Sequence, residues 1–177
     1  MKLVFPDITY KDKAIDYIDE FYEYGSEING SGGLDRYLRE WNSTYEEWLK
    51  KVLKDMDIAN IEESRVPALT YFYVREEDDR IVGMVNIRLA LNDFLRSEGG
   101  HIGYSVRPTE RRRHYATEML KAALKVTDTI GIKDVLVSCD KDNAASAGVI
   151  KNCGGVFRNE VYCESFQETL HMYVIRR

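Results

Sequence analysis

Cysteine is scarce in this chain of 177 residues, and its spacing suits no metal or crosslink. Cys139, Cys153 and Cys163 form an odd set without C-x-x-C spacing, which argues against a zinc site or a disulfide framework and fits a reducing, cytoplasmic setting. No metal is expected. Long apolar runs are missing too. None approaches the ~20 residues of a membrane-spanning helix, and the opening MKLVFPDITYKDK carries no apolar signal segment, so no membrane partner is expected. No strand-like segment leads into G-x-G-x-x-G, and the phosphate-loop lysine motif is absent, which disfavours dinucleotide-binding and P-loop folds. Positive charge is in deficit: 25 lysines and arginines stand against 30 acidic residues. The net charge of −5 is a poor match to nucleic acid.

What is present is ample core material. Apolar residues make up 44% and aromatic residues 11% of the chain, enough for one domain over residues 1–177. Thr9 and Asp12 stand at capping-box spacing, and Ala14, Ile15, Ile18, Phe21 and Tyr22 share a face, so residues 9–22 read as a helix. Residues 25–33 (GSEINGSGG) form the one Gly/Ser-rich break. A second helix starts at Ser43 or Thr44, with Glu46 and Glu47 in its first turn and Trp48, Leu49, Val52, Leu53 and Met56 as its apolar stripe. Residues 68–75 and 81–89 are β-rich and flank a charged turn, which predicts a hairpin. Further on, the pattern predicts a strand at 101–107, a helix from about Arg112 to Val126, a strand at 134–139, a short helix at 144–152, and strands near 155–161 and 168–175. The order ααβββαβαββ predicts an α/β (α+β) fold: one mixed sheet of six to seven strands with helices on both faces. The chain divides into a helical region 1–67, a core 68–160 and a C-terminal strand 161–177.

The segment Gly100–Ala123 holds most of the chemistry. A short apolar strand stops at Pro108, which cannot continue a ladder, and an amphipathic helix follows after Arg111-Arg112-Arg113. A helix start offers unpaired N–H groups and the positive end of the dipole, so an anion fits there. Three arginines beside it in an acidic chain suit a small anion such as a phosphate. The same run also reads as a solvated turn paired with Glu98 or Glu110.

This unit resembles the acetyl-CoA-binding segment of the GCN5-related N-acetyltransferase (GNAT) superfamily. In that segment a strand ending in V-x-P leads to a turn of the form Arg/Gln-x-x-Gly-x-Gly/Ala and a helix. Here Val106-Arg107-Pro108 supplies the strand end, and Arg111, Arg112, Arg113, His114, Tyr115 and Ala116 supply the turn. A second element follows: the strand 134–139, then Asn143-Ala-Ala-Ser146, a short helix and Gly154-Gly155. The resemblance covers about residues 68–160 and is nearest to the superfamily's "predicted acetyltransferase" branch. His114 stands where the family has glycine, whose bare backbone lets a pyrophosphate approach closely.

The resemblance implies acetyl-CoA as cofactor and a GNAT-like sheet in which strand 101–107 splays from strand 134–139. It further implies transfer of the acetyl group to an amine of a small molecule or peptide, by direct attack in a ternary complex. Tyr104, Ser105 and Val106 would meet the pantetheine arm, and Arg111 to Thr117 (Arg111, Arg112, Arg113, His114, Tyr115, Ala116, Thr117) the pyrophosphate. Asn143 would hold a pantetheine amide and Ser146 would lie near the sulfur; Asn143 equally suits a helix N-cap. The tyrosine that many members place seven residues beyond this asparagine is Ile150 here, which leaves Ser146 or Tyr162 as acid. His101 is the base candidate, since it opens the cofactor strand and titrates in the useful range. Asn86, Arg88 and Asp93 are candidate substrate contacts, and Asp16, Asp19, Glu20, Glu23 and Glu27 could draw in an amine. Members often dimerise, so a homodimer is among the expectations, although no segment marks an interface.

Two other functions compete. Ala144-Ala145-Ser146-Ala147-Gly148 loosely matches a hydrolase nucleophile elbow with His171 downstream, but four residues separate the strand end from Ala144, too many for a sharp elbow. A non-catalytic acyl-CoA-binding module would account for His114 and for the missing tyrosine.

Overall fold

The computed structural model describes residues 1–60, 65–164 and 167–177. Twelve principal elements follow in chain order: β1 (Lys2–Val4), α1 (Lys11–Glu23), α2 (Leu34–Arg39), α3 (Tyr45–Asp55), β2 (Ala68–Arg75), β3 (Arg80–Arg88), β4 (Ile102–Val106), α4 (Tyr115–Thr129), β5 (Asp134–Asp140), α5 (Ala144–Asn152), β6 (Gly155–Cys163) and β7 (Glu168–Arg176). A single π-turn, Leu95–Gly99, precedes β4. Among the described residues no helix is long and apolar enough to cross a membrane.

The strands divide into two antiparallel sheets, β1-β2-β3-β4 and β5-β7-β6. One isolated bridge, Gly100 to Val137, joins them. This sharpens the expected single mixed sheet into two halves that meet at one point. Gly100 is obligatory at that point: its φ is +65°, and a Cβ there would lie 2.6 Å from the Leu136 carbonyl oxygen.

Alternation along the strands builds a core on each face of the first sheet. Tyr71, Tyr73, Val85, Ile87, Ile102 and Val106 face α4, which answers with Met119, Leu120, Ala123 and Leu124. Phe72, Val74 and Met84 face α1 and α3, which supply Tyr17, Phe21 and Trp48, with Trp48 stacked on Phe72 at 5.9 Å. Fully burying one such apolar side chain is worth about 1.5–3 kcal/mol, so these two faces carry most of the fold's stability.

Local signals were kept where chemistry demanded them. Thr44 and Glu47 form a reciprocal capping box at the start of α3, as their spacing predicts. The expected box at Thr9 and Asp12 does not form. Asp7 accepts from Thr9 N–H instead, and one 3-10 turn, Ile8–Tyr10, delays α1 to Lys11. The buried face of α1 is Ala14, Tyr17, Ile18 and Phe21, so Tyr17 enters the core and Tyr22 is exposed. β1 and α2 were missed, because three and six residues are too short to show a period. β1 pairs with β2, so the region 1–67 contributes to the sheet and is not helical throughout.

Candidate active site

The backbone of β4 is half used. Its pairing with β3 turns the His101 carbonyl and the backbone groups of Gly103, Ser105 and Arg107 toward that strand, as the bonds Arg88 N–H to His101 O (2.8 Å) and Arg107 N–H to Val82 O (2.9 Å) show. The amides and carbonyls of Ile102, Tyr104 and Val106 therefore face away from β3. β5 does not fill that edge. It meets β4 only at the start, where His101 N–H donates to Leu136 O (2.7 Å) and Leu136 N–H donates to His101 Nδ1 (2.9 Å). Beyond this seam the sheets part, leaving an open strand edge as a docking line for an extended ligand.

The turn after β4 is bolted to the scaffold from below. Thr109 donates to Glu20 of α1 through its N–H (2.9 Å) and hydroxyl (2.8 Å). Arg107, 1% exposed, donates to Glu20 (2.8 Å), Asp16 (2.8 Å) and the Ile81 carbonyl (3.0 Å). Burial works against the Glu20 charge, but these bonds outweigh it and hold its carboxyl below the usual range. Buried Glu110 collects Arg75 (3.0 Å), Arg113 (3.2 Å) and Arg80 (3.4 Å).

The three arginines of the turn therefore have different fates. Arg111, although exposed, reaches back to the scaffold, donating to Val106 O (3.2 Å) and Ser26 Oγ (2.7 Å) and lying over the Phe21 ring. Arg113 pairs with Glu110 and stays exposed. Arg112 is exposed and joins no ion pair among the described residues. Arg112 and His114 both have left-handed backbone, with φ of 63° and 64°. His114 thus keeps the conformation glycine would supply, and it caps α4 without a side-chain bond. The first amides of α4, at Tyr115, Ala116 and Thr117, have no partner within the helix and point at this turn.

Across the gap, Asn143 Oδ1 accepts from Ser146 N–H (2.9 Å) and caps α5. Ser146 Oγ lies 3.0 Å from the Tyr104 hydroxyl and within hydrogen-bond reach of the Cys139 thiol. Burial pushes both the Tyr104 hydroxyl and the Cys139 thiol up, so each keeps its proton at neutral pH. Ile150 is fully buried in the core. Tyr162 lies on β6, 58% exposed.

On the opposite face, residues 24–33 press against β4. Gly30 sits on Gly103 so closely that any Cβ would collide with its carbonyl, and Asn29 O accepts from Ser105 Oγ at 2.5 Å. The same segment brings the charge of Glu27 near Glu168 at the start of β7, beside Asp140 at the end of β5. Asp140, burial and Glu27 together raise the Glu168 pKa. Of these three carboxylates only Glu27 was singled out from sequence. Their meeting depends on β5–β7 register, which leaves no local signal.

The family model described as acetyltransferase (GNAT) domain matches residues 20–156. The chain belongs to the GNAT acetyltransferases. Solved GNAT structures share its fold. The microcin C7 self-immunity acetyltransferase, in complex with acetyl-CoA and AMP, superposes with a TM-score of 0.71 at 15% identity over 99% of this chain and 91% of that one. A ribosomal L7/L12 α-N-protein acetyltransferase in complex with coenzyme A gives 0.68 at 15% identity over 98% and 92%. A spermidine N-acetyltransferase mutant from Vibrio cholerae gives 0.62 at 10% identity over 99% and 95%. No curated protein matches the chain in sequence.

Within the GNAT frame several expected roles change. His101 lies at the closed end of the seam, 8% exposed, and its Nδ1 lone pair is taken by Leu136 N–H. Burial, with Arg88 and Arg96 nearby, lowers its pKa to about 4. A base needs that lone pair free, so the expected role gives way to a structural one. Asn86 is buried and donates to Thr70 Oγ1 (3.0 Å), and Arg88 donates to the carbonyls of Gly99 (2.9 Å) and Gly100 (3.0 Å); both are spent on scaffold. Asp93 lies just before the π-turn and lines a hollow with Arg96 and Arg158 that includes no residue of β4. Of the acidic helix residues, Asp16, Asp19 and Glu20 pair with Arg107, Arg39 and Arg80. Ser146 bonds to Tyr104, and His171 contacts Glu160, so no hydrolase triad forms among the described residues.

Proposed function

We propose that this GNAT protein is a cytoplasmic N-acetyltransferase that moves the acetyl group of acetyl-CoA onto an amine of a small molecule or peptide. The observation that carries the reading is the open edge of β4 running into the uncapped, arginine-flanked start of α4. The residues present fit acetyl-CoA: a line of backbone groups that no neighbouring strand pairs suits its amide-bearing arm, and a positive helix start suits its pyrophosphate.

Backbone groups of Ile102, Tyr104 and Val106 would hold the pantetheine arm. The amides of Tyr115, Ala116 and Thr117, with Arg112 and Arg113, would hold the phosphates; the Asn143 side-chain amide remains available to a ligand carbonyl. When bound, acetyl-CoA supplies the acetyl group as a thioester. The N–H groups of Tyr104 and Val106 are the donors suited to charge that develops on a carbonyl oxygen.

The Glu27, Asp140 and Glu168 cluster attracts a cationic amine. Glu168, with its raised pKa, accepts the ammonium proton at its carboxylate, which frees the nitrogen lone pair. The Tyr104 hydroxyl, 3.0 Å from Ser146 Oγ, would be the proton donor for a leaving thiolate, in place of the tyrosine absent at position 150. Neighbours in fold that act on spermidine or on a protein α-amine are compatible with an acidic cluster of this kind.

The test is release of free coenzyme A over a panel of polyamines, amino acids and peptide N-termini, alongside calorimetric titration with acetyl-CoA. Binding plus amine-dependent release is expected. Tight binding with no release on any amine would favour the non-catalytic module, and no binding at all would remove the proposal.

A further inference from the structure

A second positive site lies at the other end of β4. An open cleft of about 770 Å³ is lined by Arg96, Lys133, Arg158 and Arg176. Its floor is apolar, made by Leu136, Ile132 and Val174. Asp134 is the one acidic lining residue, which leaves three positive charges in excess within a chain of net charge −5. Asp134 reaches Arg176 only at 3.9 Å, with both side chains largely exposed, a pair worth little. Lys133 and Arg158 join no ion pair among the described residues, and Arg96 spends one donor on the Leu91 carbonyl.

The independent observation is His101, which lines the same cleft although 92% of it is buried. Because Nδ1 accepts from Leu136 N–H, the neutral ring must carry its proton on Nε2. Nε2 has no protein acceptor among the described residues. The lining of the cleft therefore combines one neutral imidazole donor with four cations. Such a set recognises an anionic oxygen group, and the apolar floor recognises a hydrocarbon body attached to it.

We propose that this cleft binds a small organic anion, a carboxylate or phosphate carried on an apolar body. It is separate from the arginine turn, since the five residues of β4 hold the two ends roughly 17 Å apart. The proposal does not depend on acetyl transfer, and its test does not read activity.

The experiment is an amide-shift titration of the intact protein with phenyl phosphate, with benzoate, and with inorganic phosphate as control. Saturable shifts of His101, Leu136 and Val174 are expected, persisting when acetyl-CoA is present in excess. Replacing two lining cations (Arg158→Ser with Arg176→Ser) should weaken binding about tenfold or more, because each charge-assisted bond is worth at least that factor. Both residues are exposed, so the fold should survive, and Lys133→Ser gives a milder second check. A response to phenyl phosphate alone assigns a phosphate group, to benzoate alone a carboxylate, and to both either group; each supports the site. Unsaturable shifts, equal binding of inorganic phosphate, unchanged affinity in the double variant, or shifts confined to residues 111–117 would overturn it.

Discussion

Leu136 and His101 hold each other twice: the Leu136 N–H donates to the imidazole Nδ1, and the His101 N–H donates to the Leu136 carbonyl. The pair closes one end of the divided sheet with one side chain doing the work of a strand backbone. Nδ1 must stay unprotonated for this, and the folded pKa of about 4 lies below the ordinary 6.5. His101 therefore contributes stability that is complete above pH 6.5 and is lost as pH falls toward 4, because the unfolded chain takes up the proton first. Denaturant midpoints measured across that range should fall in the native protein. His101→Asn, which keeps an acceptor without titrating, should flatten the profile, and an unchanged slope would refute the account.

His114→Gly should raise stability by about 1 kcal/mol, since glycine holds a φ of 64° without the strain a Cβ imposes. Acetyl-CoA affinity should stay equal or improve. A fall of more than about tenfold would mean that the imidazole itself contacts the ligand.

Glu20→Gln should cost about 2–3 kcal/mol, because it removes the more buried of the two counter-charges of Arg107 and leaves only the exposed Asp16. Lys141→Ala removes only an exposed pair with Glu160 and should move the denaturation midpoint little, within about 0.5 kcal/mol. Equal effects would show that the network under the turn is not a structural support.

Under the proposed chemistry, kcat/KM should rise with pH through a group above the ordinary carboxylate pKa of 4.5, since Glu168 acts deprotonated. Glu168→Gln should remove that limb and lower kcat by about 100-fold. Tyr104→Phe should lower kcat with little change in KM, whereas a purely structural hydroxyl would shift both or neither.

Much of this protein was readable from local pattern. The stripe of α4, the β2–β3 hairpin and the Thr44 box each depend on residues within one turn or one strand pair, where spacing and chemistry coincide. The arginine turn was legible as charge, and so was its pairing with Glu110, three residues from Arg113; the inward bonds of Arg111 were not, because Ser26 and Phe21 reach it only through tertiary contact. The role of His101 was hidden for the same reason. Its partner is Leu136, thirty-five residues away, and the bond uses backbone, which sequence does not record. The Glu168 cluster needed the β5–β7 register as well.

The free edge of β4 also bears on solubility. An unpaired strand edge is the usual starting point for intermolecular sheet growth. Here it is only five residues long and lies between two sheets hinged at one end, so a flat strand from another molecule has no straight approach. A short edge beside a second sheet is a poor template for such growth, so the opening that a ligand would use limits pairing with another chain.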